Sequence, residues 1–321
     1  MYYSVLHKTR FFYSEPISES FMEVYMHPRN DATQRCMTFG LTLQPKAAVF
    51  EYVDYHGNTV HHFDIPQFHN SLSITAESTV EITEAPPLPD NLPQESWAQL
   101  DADIDEGDFW EMLSQSRFTE PTPLLLQLAQ DLNLTARRGD PLSLAREINT
   151  ALYDTFAYAP NSTKVDSPID DALQARQGVC QDFSHIMLAL LRNIHMPARY
   201  VSGYIIPNEA YDDRSPEHAS HAWVEVYLPG LDWVAFDPTN NLVGNSRHVC
   251  VACGRDYMDV SPTKGVFNGT AETELNVGVQ VKLMDETPFD ENLLPEVQWE
   301  EYNAAQHQQL QMQQQQQQQQ Q

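Results

Sequence analysis

Apolar and polar positions take turns through the first 83 residues. Phe11, Tyr13, Met22, Val24, Phe39, Leu41, Leu43 and Val49 fall in short alternating runs, the period-two signature of strands. Asp54 to Asn58 reads as a turn, and His62, Asp64, Leu72, Ile74 and Val80 follow in further strand-like pieces. Residues 1–83 are therefore expected to form an antiparallel β domain. The pattern breaks at 84–96, where Pro86, Pro87, Pro89 and Pro93 predict a stiff linker. Helical spacing then takes over at Phe109–Gln115 and Pro123–Leu132. A third helix starts at Asp140 as N-cap, with Pro141 at the first position and Leu144, Ile148 and Leu152 on one face. Period two returns at about 198–206, 221–228, 233–237, 247–253 and 275–283. Helices followed by strands predict an α+β core over 97–285. In the remaining tail, 286–321, 13 of the last 16 residues are Gln, and the chain from about 303 is expected to be disordered.

Within the core the segment Gly178-Val-Cys-Gln-Asp-Phe-Ser184 precedes a helical stripe of Phe183, Met187, Leu190, Leu191 and Ile194. The spacing puts Cys180 at a helix N-terminus, with Gly178 permitting a tight turn into it. A helix N-terminus presents free N–H groups and partial positive charge, which favour a thiolate, the form that attacks carbon. A small buried core residue is the bland alternative.

A second segment tips that balance. Ser220-His-Ala-Trp-Val-Glu-Val-Tyr-Leu228 alternates, Pro229-Gly230 turns, and Leu231-Asp-Trp-Val-Ala-Phe-Asp-Pro238 alternates again, a hairpin signal. A turn centred on Pro229 would pair Glu225 with Trp233, Trp223 with Ala235, and His221 with Asp237. A carboxylate orienting an imidazole, and an imidazole taking a thiol proton, is triad logic.

These blocks, Gly178-Val-Cys-Gln-Asp-Phe-Ser, His221-Ala-Trp-Val-Glu-Val-Tyr and Trp233-Val-Ala-Phe-Asp-Pro-Thr-Asn, resemble the motifs of the bacterial transglutaminase-like superfamily. The resemblance spans roughly 95–285. The first 83 residues resemble the β-rich region that often precedes this core, through His7, Tyr13, Pro16, Pro45 and Asp54-Tyr-His-Gly-Asn58. It implies a papain-like α+β core whose nucleophile sits at a helix N-terminus packed on an antiparallel sheet. It also implies Cys180 as nucleophile, His221 as acid/base and Asp237 as orienter, working through a thioester on a peptide or protein substrate. Tyr158 is a candidate for oxyanion support. The family's spacing further suggests that Arg255-Asp256-Tyr257 lies near the active site. The preferred function is cleavage or transfer of peptide or amide bonds. The alternatives are a true transglutaminase joining Gln to an amine, and an idle scaffold that binds a protein partner.

Composition narrows the setting. A chain of 321 residues is a prior for two domains. Lys and Arg number 18 against 45 Asp and Glu, a net charge of -27, which argues against nucleic acid and anionic membrane as partners. No apolar run is long enough to span a bilayer, and Met1–Ser20 lacks a secretory pattern. With four cysteines, a reduced cytoplasmic protein is expected. No cofactor and no metal are expected, and the oligomeric state is left open. Cys250-Val-Ala-Cys253 has the spacing of a redox or zinc pair but too few neighbouring ligands. Asp101, Asp103 and Asp105 begin like a calcium loop, but Gly and Glu miss their template positions, so a solvated acidic linker is expected. His61 and His62 should point to opposite faces of a strand, and His185 should point away from Cys180.

Overall fold

A computed structural model describes residues 1–208, 213–216, 218–244 and 247–284. The chain opens with five strands: β1 (Tyr2–Val24), β2 (Gln34–Gln44), β3 (Phe50–Val53), β4 (Thr59–Ile65) and β5 (His69–Ile82). After an irregular stretch come α1 (Ser96–Glu106), α2 (Trp110–Leu113), α3 (Pro123–Asp131) and α4 (Pro141–Thr155). The short β6 (Ala157–Tyr158) and β7 (Gln177–Gly178) flank α5 (Ile169–Ala175), and α6 (Cys180–Asn193) follows. Then come β8 (Ala198–Ile205), β9 (His221–Leu228), β10 (Asp232–Asp237), β11 (Leu242–Val243), β12 (His248–Gly254), α7 (Tyr257–Val260), β13 (Thr263–Asn268) and β14 (Thr273–Leu283). The expected α+β class holds. The start signal at Asp140-Pro141 also holds, the Asp140 carboxylate accepting from Leu142 and Ser143 N–H, and the helix expected from Pro123 is capped by Thr122 Oγ1, which accepts from Leu125 N–H.

The first sheet runs β2-β5-β1-β4-β3, and β13 and β14 also pair with β1. Strand β1 is long enough to serve two sets of partners. Its first half lies between β5 and β14, and its second half between β4 and β13. Residues 263–283, assigned from sequence to the core, thus complete the sheet that the first 83 residues begin. Alternation shows that a strand exists and which face is buried; it carries no information on which distant edge the strand completes. The strand 263–268 itself was not anticipated.

The second sheet runs β11-β10-β9-β8-β12 and is antiparallel throughout. Helix α6 packs across β8 and β9, with α3, α4 and α5 around it. One hydrophobic core joins α3, α4, α6 and the second sheet to Val5, Val60, Val80, Val279 and Val281 of the first sheet. A separate cluster about Ile17, Phe63, Leu72 and Ile74 fills the interior of the first sheet. Two buried amides stitch the parts together. Gln34 brackets Cys250, donating from Nε2 to its carbonyl at 2.8 Å and accepting its N–H at 2.7 Å. Asn58 does the same for Cys253, at 2.8 and 2.9 Å. Each side chain stands in for a neighbouring strand, satisfying the outer edge of β12. The expected disorder from residue 303 lies outside the described residues.

Candidate active site

Helix α6 begins at Cys180 because Asp182 caps it from within. Val179 is extended and its side chain cannot accept a hydrogen bond, so the Asp182 carboxylate reaches back to Val179 N–H at 2.8 Å. The same oxygen accepts from Thr163 Oγ1 at 2.6 Å. Burial pushes this carboxyl up, and those hydrogen bonds oppose the shift. Gly178 has a reason the sequence reading did not supply. A Cβ there would lie 2.8 Å from the Asp182 side chain, so glycine is needed for close approach and not for a left-handed turn. The predicted stripe, Phe183, Met187, Leu190 and Leu191, is fully buried. Cys180 itself is only half-buried, at the exposed end of an otherwise enclosed helix.

His221 opens β9, close enough to Cys180 for the thiol to help raise its pKa. Its Nε2 lies 2.7 Å from Asp237 Oδ2, and its Nδ1 lies 3.2 Å from Ser215 Oγ. Both His221 and Asp237 are buried. The hairpin that brings them together differs from the sequence expectation by two residues. The ladder pairs Leu228 with Asp232, Val226 with Val234 and Val224 with Phe236, so the turn centres on Gly230, with φ of 75°. Leu228 O accepts Leu231 N–H at 3.0 Å to close it. His221 and Asp237 are therefore diagonal and not directly opposite. A slip of two keeps every side chain on its face, which is why they still meet.

Asp237 is held from five directions. Oδ1 accepts from the backbone N–H groups of Thr239 and Asn240 at 3.0 and 3.2 Å. Oδ2 accepts from His221, from Asn240 Nδ2 at 2.9 Å and from His248 Nε2 at 3.1 Å. Burial alone would raise this carboxyl, but His221 and His248 hold it well below the usual carboxylate range. Burial likewise works against the His221 imidazolium, and the Asp237 charge more than offsets it, so its pKa is raised. The pair favours the ionised form on both sides.

Tyr158, on β6 opposite Gly178 of β7, lies near enough for Cys180 to act on it; burial first, then that charge, pushes its hydroxyl up. Burial chiefly, and the charge of Cys180 among lesser causes, also push the hydroxyls of Tyr200 and Tyr257 up. A half-buried thiol, an imidazole close to it, and a fixed carboxylate behind form a set of the kind that could hold a proton on the imidazole while sulfur attacks carbon.

Comparison with known proteins fits this geometry. Residues 127–238 match the transglutaminase-like superfamily core, and residues 3–81 match the bacterial transglutaminase-like N-terminal region. An uncharacterised protein of Mycobacterium leprae is 32% identical over 278 residues, 86% of this chain and 97% of that protein. The chain belongs to the transglutaminase-like superfamily. A Pseudomonas aeruginosa protein-glutamine gamma-glutamyltransferase is 29% identical over 152 residues, 45% of this chain and 22% of that protein. Among solved structures, a Cytophaga hutchinsonii protein thought to be a cysteine protease shares the fold. Its TM-score is 0.67 at 23% identity, covering 92% of this chain and 96% of that one.

Elsewhere in this transglutaminase-like chain the decoys resolve into structure. His185 Nε2 accepts Tyr257 N–H at 3.2 Å, and its ring lies between Phe118 and Tyr200. Cys250 and Cys253 are free and buried in one small cluster with Val201, Trp223 and Ala235. A bulge between Cys250 and Ala252 puts both on the same face, which three-residue spacing on a regular strand would not. The nearby His248 hydrogen-bonds with Asp237. The ligating atoms of His221, Asp237 and His248 lie within 4.8 Å of one another, but at hydrogen-bond separations about a shared oxygen. Asp101, Asp103 and Asp105 ride on α1 and form no loop: Asp101 pairs with Arg137 at 2.6 Å and Asp103 accepts from Tyr227 at 3.2 Å. The expected acidic linker is thus a helix, fixed by partners the sequence does not reveal. Arg255 pairs with Asp259, and Asp256 caps α7. Ser215, Asn240 and His248 were missed. Asn240 alone left a trace, as the end of the Asp-Pro-Thr-Asn turn.

Proposed function

We propose that this protein is a cysteine-dependent acyl-transfer enzyme acting on peptide or amide bonds through Cys180, His221 and Asp237. The observation that carries this reading is a half-buried thiol at the start of α6 beside a buried imidazole whose Nε2 lies 2.7 Å from Asp237 Oδ2. The Cys180 sulfur attacks the carbonyl carbon, and its proton resides on His221 Nδ1. The developing oxyanion is met by the Cys180 backbone N–H, free at the first helical position, with Tyr158 as a second candidate donor. The C–N bond breaks as His221 returns the proton to the leaving amine, and a thioester remains on Cys180. Water or a second amine then takes the acyl group. Asp237 stays ionised and fixes the imidazole tautomer. Transfer to an amine is the second reading, favoured by the partial relationship to a glutamyltransferase.

Among the described residues no helix is long and apolar enough to cross a membrane. We assign the protein to the cytoplasm on its free cysteines, a placement that cell fractionation tests.

Iodoacetamide labelling at neutral pH tests the nucleophile. Burial pushes the thiols of Cys250, Cys253 and Cys36 up, so each should react slowly. One equivalent should enter rapidly at Cys180. Labelling spread over all four cysteines would remove the claim. Trapping the thioester from a peptide pool and weighing the acyl group by mass spectrometry identifies the substrate.

A further inference from the structure

Asp237 is also braced by a histidine that the reaction scheme does not use. His248 opens β12 and points its Nε2 at the same carboxylate oxygen that holds His221, at 3.1 Å against 2.7 Å. An ionised carboxylate only accepts, so Nε2 must carry the proton. In the neutral ring Nδ1 is then a bare acceptor. Nδ1 of His248 is buried without a hydrogen-bond partner among the described residues, and so is the indole N–H of Trp223. One is an acceptor, the other a donor, and the two rings lie 4.7 Å apart.

Both rings line a small cavity of about 10 Å³, closed by Asp31, Thr33, Gln34, Ile82 and Cys250. A cavity of that size holds one water, provided that polar partners face it. A water there accepts from the Trp223 indole and donates to His248 Nδ1. That arrangement fixes the tautomer which presents N–H to Asp237. The indole can lie over β8 and reach β12 because Gly203 has no Cβ; one built there would meet Trp223 at 2.7 Å. The β12 backbone is in turn bracketed at Cys250 by Gln34, which also walls the cavity.

We propose that His248 is a positioning residue: with one buried water shared with Trp223, it fixes the Asp237 carboxylate and through it the His221 imidazole. The proposal rests on the reading of Asp237 as the orienting carboxylate. It assigns the first-sheet segment about Gln34 a part in aligning the site, although that segment lies far from the thiol in sequence.

The test compares iodoacetamide alkylation of Cys180 at neutral pH in the full chain and in folded variants, judged by thermal unfolding. His248→Phe keeps a ring and removes the donor. It should slow alkylation about ten-fold, the scale of lost support behind a working histidine. His248→Gln places an amide N–H near the Nε2 position and should recover most of the rate, a rescue that a purely structural role would not produce. Should the Phe variant not fold, His248→Asn replaces it, because its shorter amide falls short of Asp237. Asp237→Asn is the control that separates the two claims. If Asp237→Asn is slow while the His248 donor-less variant alkylates at the wild-type rate, the positioning role is wrong and the Cys-His-Asp reading stands. A Gln variant as slow as the Phe or Asn variant also overturns the positioning role. If Asp237→Asn itself alkylates normally, both claims fall.

Discussion

At the scale of single residues, the site separates groups that touch the reacting atoms from groups that hold them. Cys180→Ala should abolish thioester formation while changing stability by no more than about 1 kcal/mol, because a small, half-buried side chain is lost at a helix edge. Urea unfolding beside the trapping assay checks both halves. Asp237→Asn should keep the fold and lower turnover by about 10²–10⁴-fold, since a neutral amide can present the wrong partner to His221. A loss confined to substrate affinity would contradict an orienting role. The places of Cys180, His221 and Asp237 were legible because local pattern defines each: a helix start, a strand start, a strand end. His248 and Ser215 were not. Their significance lies in what stands across from them in space, His248 two strands beyond β9 in the sheet and Ser215 in the connection before it.

At the scale of elements, strand boundaries proved more legible than pairings. The strand 221–228 follows directly from alternation, yet its hairpin register depends on how three residues, Pro229 to Leu231, turn the chain. Pro-Gly marks the turn without specifying its centre. The same limit hides the β12 bulge. Two element-level outcomes follow. Gly203→Ala should destabilise by about 1–3 kcal/mol, because its methyl would press on the Val249 carbonyl as well as on Trp223, where packing cannot relax freely. Asp140→Ala should cost about 1 kcal/mol, the usual loss of an N-cap. Asp140 Oδ1 also accepts Leu92 N–H at 3.0 Å, so the loss should reach the segment before α1 as well as α4. Hydrogen exchange at both places distinguishes this from simple fraying of α4.

At the scale of the whole molecule, stability is tied to protonation through two buried histidines outside the proposed triad. Burial pushes His7, whose Nδ1 meets Tyr204 Oη at 2.9 Å, down to about 4. Burial, with Arg192 nearby, pushes His185 down to about 3. Unfolding frees both rings to protonate near 6.5, so the unfolded state takes up protons that the folded state refuses. The contribution of these two rings should be at its full value above about 6.5 and fall as pH drops toward 4, by on the order of 2 kcal/mol for each ring at pH 5, while His221, raised by Asp237, acts in the opposite sense. Urea unfolding at pH 7.5 and 5 measures the drop, and His185→Phe should make it smaller; a rise in stability on acidification would contradict the burial argument. The end of the first run of strands was legible in the switch of period near residue 84, since β5 stops at Ile82 and helices follow. The return of the chain to its first sheet was not, because β1 shows only that it needs partners. That return bears on synthesis. Strand β1 leaves the ribosome with β5 soon behind it, but its other edge waits for β14, whose pairing runs from Tyr3 against Leu283 to Tyr13 against Thr273. At translation speeds of about 5–20 residues per second, the nascent chain carries that open edge for tens of seconds. Completion of the first fold unit is therefore scheduled by β14, the last strand among the described residues.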